Sequence, residues 1–322
     1  PWANDSDLAN YGFLMQTEFY QLPLHIEYIL VRMTLVGIGL SVVGSLLSVF
    51  LICYVPIRSD GLFAVGNMCV ALLGAQLAFA GAENAFPQKI MCKISTASIH
   101  YLFLSVHCWA LAFFLHLLLK LTRLLHGKRA KRRFVLVSIG WVVPMVIVAT
   151  TAVLVGDKYG DEKLCWLSPD NGSHWAFVGP VCFACAVNVT ILLLVILVQL
   201  KHDLKKDVSL TKRLKNALST LMVQFPISNV TWLLGIVPAH YVAVQYLFVL
   251  LNASQGMFIF ACHMMCSTQI RGLLKSRLGA GVGVDGPKQN SQSDSTGNTQ
   301  SVEMDIVGEG LKTISSSKKR EP

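Results

Sequence analysis

Apolar residues fall along this chain in continuous blocks of about 20 or more positions, parted by short polar stretches; about 20 helical residues cross roughly 30 Å of hydrocarbon. In lipid only helices and closed barrels satisfy their own backbone groups, and runs that are continuous rather than alternating read as helices. Seven spans are predicted, over about 28–55, 61–82, 92–121, 134–155, 175–200, 216–237 and 241–266. After the last, Ile270, Leu273, Leu274 and Leu278 recur at helical spacing with Arg271, Lys275 and Arg277 between them, which predicts a short amphipathic helix over 267–278. From 279 to 322 Gly, Ser, Asn, Gln and Lys dominate, and a disordered tail is expected. The predicted fold class is an all-α membrane protein: an extracellular stalk over 1–27, a seven-transmembrane helix bundle over 28–266, the amphipathic helix and the tail.

Composition agrees. Of 322 residues 53% are hydrophobic and 14% charged, against about a quarter charged in soluble domains, which excludes an ordinary soluble enzyme. The net charge of +9 would fit a nucleic-acid surface if it formed a patch, but the cations sit in two loops. Lys120, Arg123, Lys128, Arg129, Lys131, Arg132 and Arg133 follow the third span, and Lys201, Lys205, Lys206, Lys212, Arg213 and Lys215 join the fifth to the sixth. Excess Lys and Arg mark cytoplasmic loops, so the N-terminus is expected outside and the C-terminus cytoplasmic, with the basic loops on anionic membrane lipid and no nucleic-acid partner. Pro1 is not an initiator Met, and no signal peptide precedes the first span; an exported front part of a longer chain is expected.

Candidate chemistry is sparse. Seven of nine cysteines lie in apolar spans, where Cys acts as a small hydrophobe. Cys92 and Cys165 lie on the expected oxidising side, and a disulfide between them would pin a loop across the bundle mouth. Sequons at Asn4 and Asn171 fall outside the membrane and are candidate glycosylation sites, whereas those at Asn188, Asn229 and Asn252 lie inside spans. His100, His107 and His116 share the third span without a carboxylate to orient them, so they read as satisfied interior histidines rather than catalysts. Mid-membrane charges of the kind a transporter keeps are nearly absent. No catalytic residue, metal or cofactor is expected. The informative features are breakable helices: Pro226 in the sixth span as a hinge, with Pro144, Gly179-Pro180 and Gln255-Gly256 weakening the fourth, fifth and seventh.

Thr231-Trp232-Leu233-Leu234-Gly235, the run from Leu251 through Asn252-Ala253-Ser254-Gln255-Gly256 to Phe260 with His263, and Tyr159-Gly160 followed by Cys165-Trp166-Leu167 resemble the sixth span, seventh span and second outer loop of adhesion G-protein-coupled receptors. His100-Tyr101 through Phe103-Leu104 to Trp109 resembles their third span, and Trp175 through Gly179-Pro180-Val181 to Asn188 their fifth. The likeness covers about residues 7 to 278, with the second loop and fifth span closest to latrophilin and EGF-module receptors. It implies a plasma-membrane, multi-pass receptor with a large ectodomain of unknown adhesion ligand, a self-cleavage site before the bundle, and a tethered agonist after it. Tyr11, Gly12, Phe13, Leu14 and Met15 line up with that agonist; Trp232, Trp166, Trp109, Phe103, Gln255 and Gly256 are the implied agonist pocket and switch.

Three departures stand against the family pattern. The cleavage tripeptide H-L-T falls on Asp7-Leu8-Ala9, without the assisting His or the nucleophilic hydroxyl. The Cys-rich approach to it is absent from Pro1 to Ser6. The His and Glu that help lock the inactive state fall on Val65 and Phe113; joint replacement of a buried polar pair by apolar residues avoids a lone unpaired group. The implied mechanism is a population shift: the segment enters the bundle, Trp232 repacks, the sixth helix bends at Pro226, and a heterotrimeric G-protein site opens. A shift from 1% to 99% active needs roughly 5.5 kcal/mol, within reach of several buried anchors at about 1.5–3 kcal/mol each. The alternative is a non-signalling membrane anchor of an adhesion ectodomain. A secretin-like hormone receptor is disfavoured by the seventh-span sequence.

Overall fold

The computed structural model describes residues 22–54, 59–82, 88–122, 127–160, 165–203, 229, 231–237 and 240–261. The expected agonist at Tyr11, Gly12, Phe13, Leu14 and Met15, the sequon at Asn4, the tripeptide at Asp7, the hinge at Pro226, His263, the helix over 267–278 and the tail over 279–322 lie outside the described residues. Among those described, every regular element is helical: α1 (Leu24–Tyr54), α2 (Asp60–Gly81), α3 (Lys89–Leu121), α4 (Arg129–Val137), α5 (Val143–Val155), α6 (Trp175–Asp203), α7 (Thr231–Leu233), α8 (Val242–Ala253) and α9 (Gln255–Ile259). The spans Leu24–Tyr54, Asp60–Gly81, Lys89–Lys120, Arg129–Lys158 and Trp175–Leu197 are each long and apolar enough to cross a membrane. Together with the described parts of the sixth (α7) and seventh (α8, α9) spans, they make the expected all-α bundle.

Helix α3 runs through the middle, packed against α2, α5 and α6, while α1 lies against α2, α8 and α9. The remaining faces carry large bare side chains such as Ile90, Phe134, Val153, Leu154 and Phe183. Against water such faces would drive association; against lipid tails they are at home.

The fourth span departs from its expected form in two places. It starts at Arg129 rather than near 134, because Arg132 and Arg133 find a carboxylate partner on α2, described below, that keeps a basic turn helical. It also widens into a π-helical turn over Ser138–Val142 just before Pro144. The Pro144 ring would meet the carbonyl four residues back, that of Gly140, and the extra residue in the turn relieves the conflict. Gly140 is further required because a Cβ there would run into the Trp109 indole.

The seventh span breaks at Ser254, between α8 and α9. Backbone groups freed by the break are satisfied by neighbouring helices: Gln76 Nε2 of α2 donates to the Ala253 carbonyl at 3.2 Å, and the Gly256 N–H donates to Ser41 Oγ of α1 at 2.7 Å. Gln76 Nε2 also donates to Ser41 Oγ at 2.7 Å. A broken helix is tolerated at membrane depth when protein groups pair its freed ends in this way.

Candidate functional site

The site is built from one face of α3. His100, Phe103 and His107 stand at i, i+3 and i+7, so they share a stripe facing α6 and α7. Trp232 of α7 is fully buried and meets this stripe edge-on, with ring centroids 5.4 Å from Phe103 and 4.7 Å from His107. Phe177 of α6 and Phe248 of α8 close two further sides of the indole, each 6.1 Å away. Above Phe177 lies Trp166, 5.2 Å from it and 6.2 Å from His100. Edge-to-face contacts at these separations are favoured by the ring quadrupoles. The cluster thus links the third, fifth, sixth and seventh spans to the loop between the fourth and fifth.

That loop is held from both ends. Cys165 is disulfide-bonded to Cys92 at the start of α3, with Cα atoms 4.8 Å apart. Cys165 adopts a left-handed backbone, φ 46°, uncommon for a residue with a Cβ, and the turn delivers Trp166 into the bundle. Gly160 is also left-handed, φ +83°, and sits so close to α3 that a Cβ would lie 2.8 Å from Thr96 Oγ1. Immediately before Gly160, Tyr159 is buried, which pushes its phenol well above the ordinary range, so it remains a neutral hydroxyl donor. Its hydroxyl pairs with His100 Nδ1 at 3.2 Å.

Pro180 explains the other side of His100. A proline inside α6 cannot donate to the carbonyl of Ala176 four residues back, and His100 Nε2 reaches that carbonyl at 3.4 Å. A carbonyl only accepts, so Nε2 carries the proton and Nδ1 accepts from Tyr159. His100 is therefore a neutral bridge between α6 and the loop, consistent with the interior reading of this histidine. Pro180, expected only to weaken the fifth span, supplies the acceptor.

Beyond the aromatic cluster the same helices are joined by amides. Asn188 Nδ2 of α6 donates to Asn229 Oδ1 at 2.8 Å, and Thr231 Oγ1 donates to Asn252 Oδ1 of α8 at 2.9 Å. Asn252 Nδ2 donates in turn to the carbonyls of Thr231, at 3.2 Å, and Phe248, at 2.9 Å. All three sequon asparagines inside the spans are buried, whereas Asn171 is exposed in a loop turn.

Of the six residues named as pocket and switch, the structure brings Trp232, Phe103 and Trp166 into one cluster and places Trp109 and Gly256 elsewhere. Trp109 faces α2 and the fourth span: it meets Phe63 at 5.9 Å and Trp141 at 6.0 Å. It is six positions from Phe103, about 120° around the helix at 3.6 residues per turn, so the two cannot share a face. Gly256 lies against Ser41 of α1 at the helix break, and Gln255, the residue before it, is buried. Phe177 and Phe248 were not singled out from sequence, and His107 was read only as an interior histidine, not as part of the switch. The i, i+4 relation of Phe103 and His107 could have found His107; nothing local marks the other two.

The pattern of the 7 transmembrane receptor (Secretin family) matches residues 27–259. The chain belongs to that family. Its relatives include Adhesion G-protein coupled receptor D1 of Bos taurus, 30% identical over 280 residues, 84% of this chain and 31% of that protein. Adhesion G protein-coupled receptor L1 of Homo sapiens is 31% identical over 271 residues, 82% of this chain and 18% of that protein. Adhesion G protein-coupled receptor E2 of Canis lupus familiaris is 32% identical over 256 residues, 76% of this chain and 31% of that protein. This receptor is thus of the adhesion type, and the chain spans about a third or less of the length of these relatives. Members of the family are multi-pass membrane receptors rather than enzymes.

Proposed function

We propose that this receptor is activated by a tethered peptide and signals to heterotrimeric G proteins. The observation that carries the reading is the continuous ring stack Trp166–Phe177–Trp232, which runs from the disulfide-held loop to the sixth span. An apolar segment entering beside Trp166 would have to displace these rings, and Trp232 would carry the displacement to the sixth helix. The segment Tyr11, Gly12, Phe13, Leu14 and Met15 has the composition for this, three large apolar side chains within three positions. Bending at Pro226 and opening of the basic end to the G protein then follow. The stalk faces outward, as do Asn4 and Asn171 with their expected glycans, and the C-terminus is cytoplasmic at the plasma membrane.

A photoreactive benzophenone side chain in place of Phe13 tests the docking step. Irradiation of the receptor in cells should yield an adduct that maps to peptides containing Trp166, Phe177 or Trp232. Adducts confined to lipid, or to residues on the bare faces of α1 and α5, would refute it.

A further inference from the structure

Where α2, α3 and α4 converge at the basic end of the bundle, one carboxylate gathers two guanidinium groups. Asp60, the first residue of α2, has a side chain only 4% exposed. Arg132 places Nε and Nη2 each 2.9 Å from its Oδ2, and Arg133 places Nε 3.3 Å from its Oδ1. Arg133 also lies over the Phe63 ring, 4.7 Å from the centroid, and Phe63 meets Trp109 edge-on. Arg132 Nη1 donates to the Gly127 carbonyl at 2.7 Å, tying in the loop ahead of α4. His116 of α3 is close enough to interact electrostatically with Asp60. One turn into the membrane, Val65 and Phe113 are both buried, and the Phe113 ring lies beside Gly61; that level offers packing and no charge.

We infer that Asp60 is the inner-face lock of this receptor: its carboxylate holds Arg132 and Arg133, and with them the basic loop between the third and fourth spans and the start of α4, in the resting position. The inference rests on the signalling reading above. A buried carboxylate is stable only while its partners are in place. The loop therefore cannot swing away gradually; release requires water to reach Asp60, which makes the clamp a two-state element. While it is closed, two of the loop's cations are half-buried and paired with Asp60, which makes them less available to a cytoplasmic partner, whereas Lys128 and Lys131 remain exposed. Asp60 is a positioning residue, acting through the loop it holds.

The test uses the full chain in lipid nanodiscs, as the native form, Asp60→Asn, Asp60→Glu, Arg132→Gln with Arg133→Gln, and Lys128→Gln with Lys131→Gln. Amide hydrogen exchange over residues 127–137 reports the clamp, and nucleotide exchange on added heterotrimeric G protein reports signalling. In Asp60→Asn and in the paired arginine variant, amide exchange should quicken about tenfold and basal nucleotide exchange should rise about fivefold. Asp60→Glu should restore much of the native behaviour, and the lysine pair should leave amide exchange unchanged. Unaltered amide exchange in Asp60→Asn overturns the clamp. Faster amide exchange with unchanged signalling, in a receptor whose native form is active, overturns the lock and leaves a structural tie. If no form activates any G protein, the signalling reading falls and the lock with it, while amide exchange still reports separately whether the clamp exists.

Discussion

Trp232→Ala is expected to lower the thermal midpoint of the purified receptor more than any other single truncation in the sixth and seventh spans. The indole is fully buried and touches four rings from three other helices, so its removal leaves a cavity that no one neighbour can fill. Lipid tails are as apolar as the bundle, hence the loss is one of packing and cavity formation rather than exposure to water. Deleting a buried aromatic side chain costs about 3–5 kcal/mol on this basis. Trp232→Phe keeps one ring and should recover roughly half of the loss. Trp109→Ala should also destabilise, but its partners Phe63 and Trp141 are not those of Trp232. The two losses should therefore add in the double variant within about 0.5 kcal/mol. Strong non-additivity would mean that the two sides of α3 are not independent, contrary to the packing described.

The second large effect is expected at the disulfide. Cys92 and Cys165 are 73 residues apart in sequence, and cross-linking a loop of that length restricts the unfolded chain by up to about 4 kcal/mol. The bond also fixes the left-handed turn that points Trp166 inward. Cys92→Ser and Cys165→Ser should each sharply reduce surface display and thermal stability. The double variant should be no worse than either single one, because the bond is lost already with one partner. Singles that match the native receptor, or a double variant with additive loss, would contradict the role assigned to this bond.

The spans were legible from hydropathy because lipid imposes one requirement on every residue within them, and α1, α2, α3 and α6 begin within about four residues of the positions predicted from sequence. Features that depend on a partner far along the chain were not legible. The early start of α4 needs Asp60, and the reason for Pro180 becomes visible only with His100 against Ala176. The basic run after the third span illustrates both cases: Lys128 and Lys131 are exposed, as a topology signal needs, while Arg132 and Arg133 are committed to an internal ion pair. Trp109 is different, since helix arithmetic alone places it on another face of α3 from Phe103. The break at Ser254 was foreshadowed by Gln255-Gly256, but the groups that make it tolerable, Ser41 and Gln76, lie on helices whose register no local pattern reveals.

The most direct test of the central claim is nucleotide exchange on purified heterotrimeric G proteins by the native chain in lipid nanodiscs, beside Phe13→Ala with Met15→Ala and Trp232→Phe. The account predicts stimulation by the native chain for at least one G protein, reduced about tenfold or more in the double variant, whose two lost anchors are worth about 1.5–3 kcal/mol each, and reduced in Trp232→Phe. Stimulation shared equally by all three forms would contradict the tethered-peptide mechanism, and absence of stimulation by the native chain across the G proteins tested would favour the non-signalling anchor.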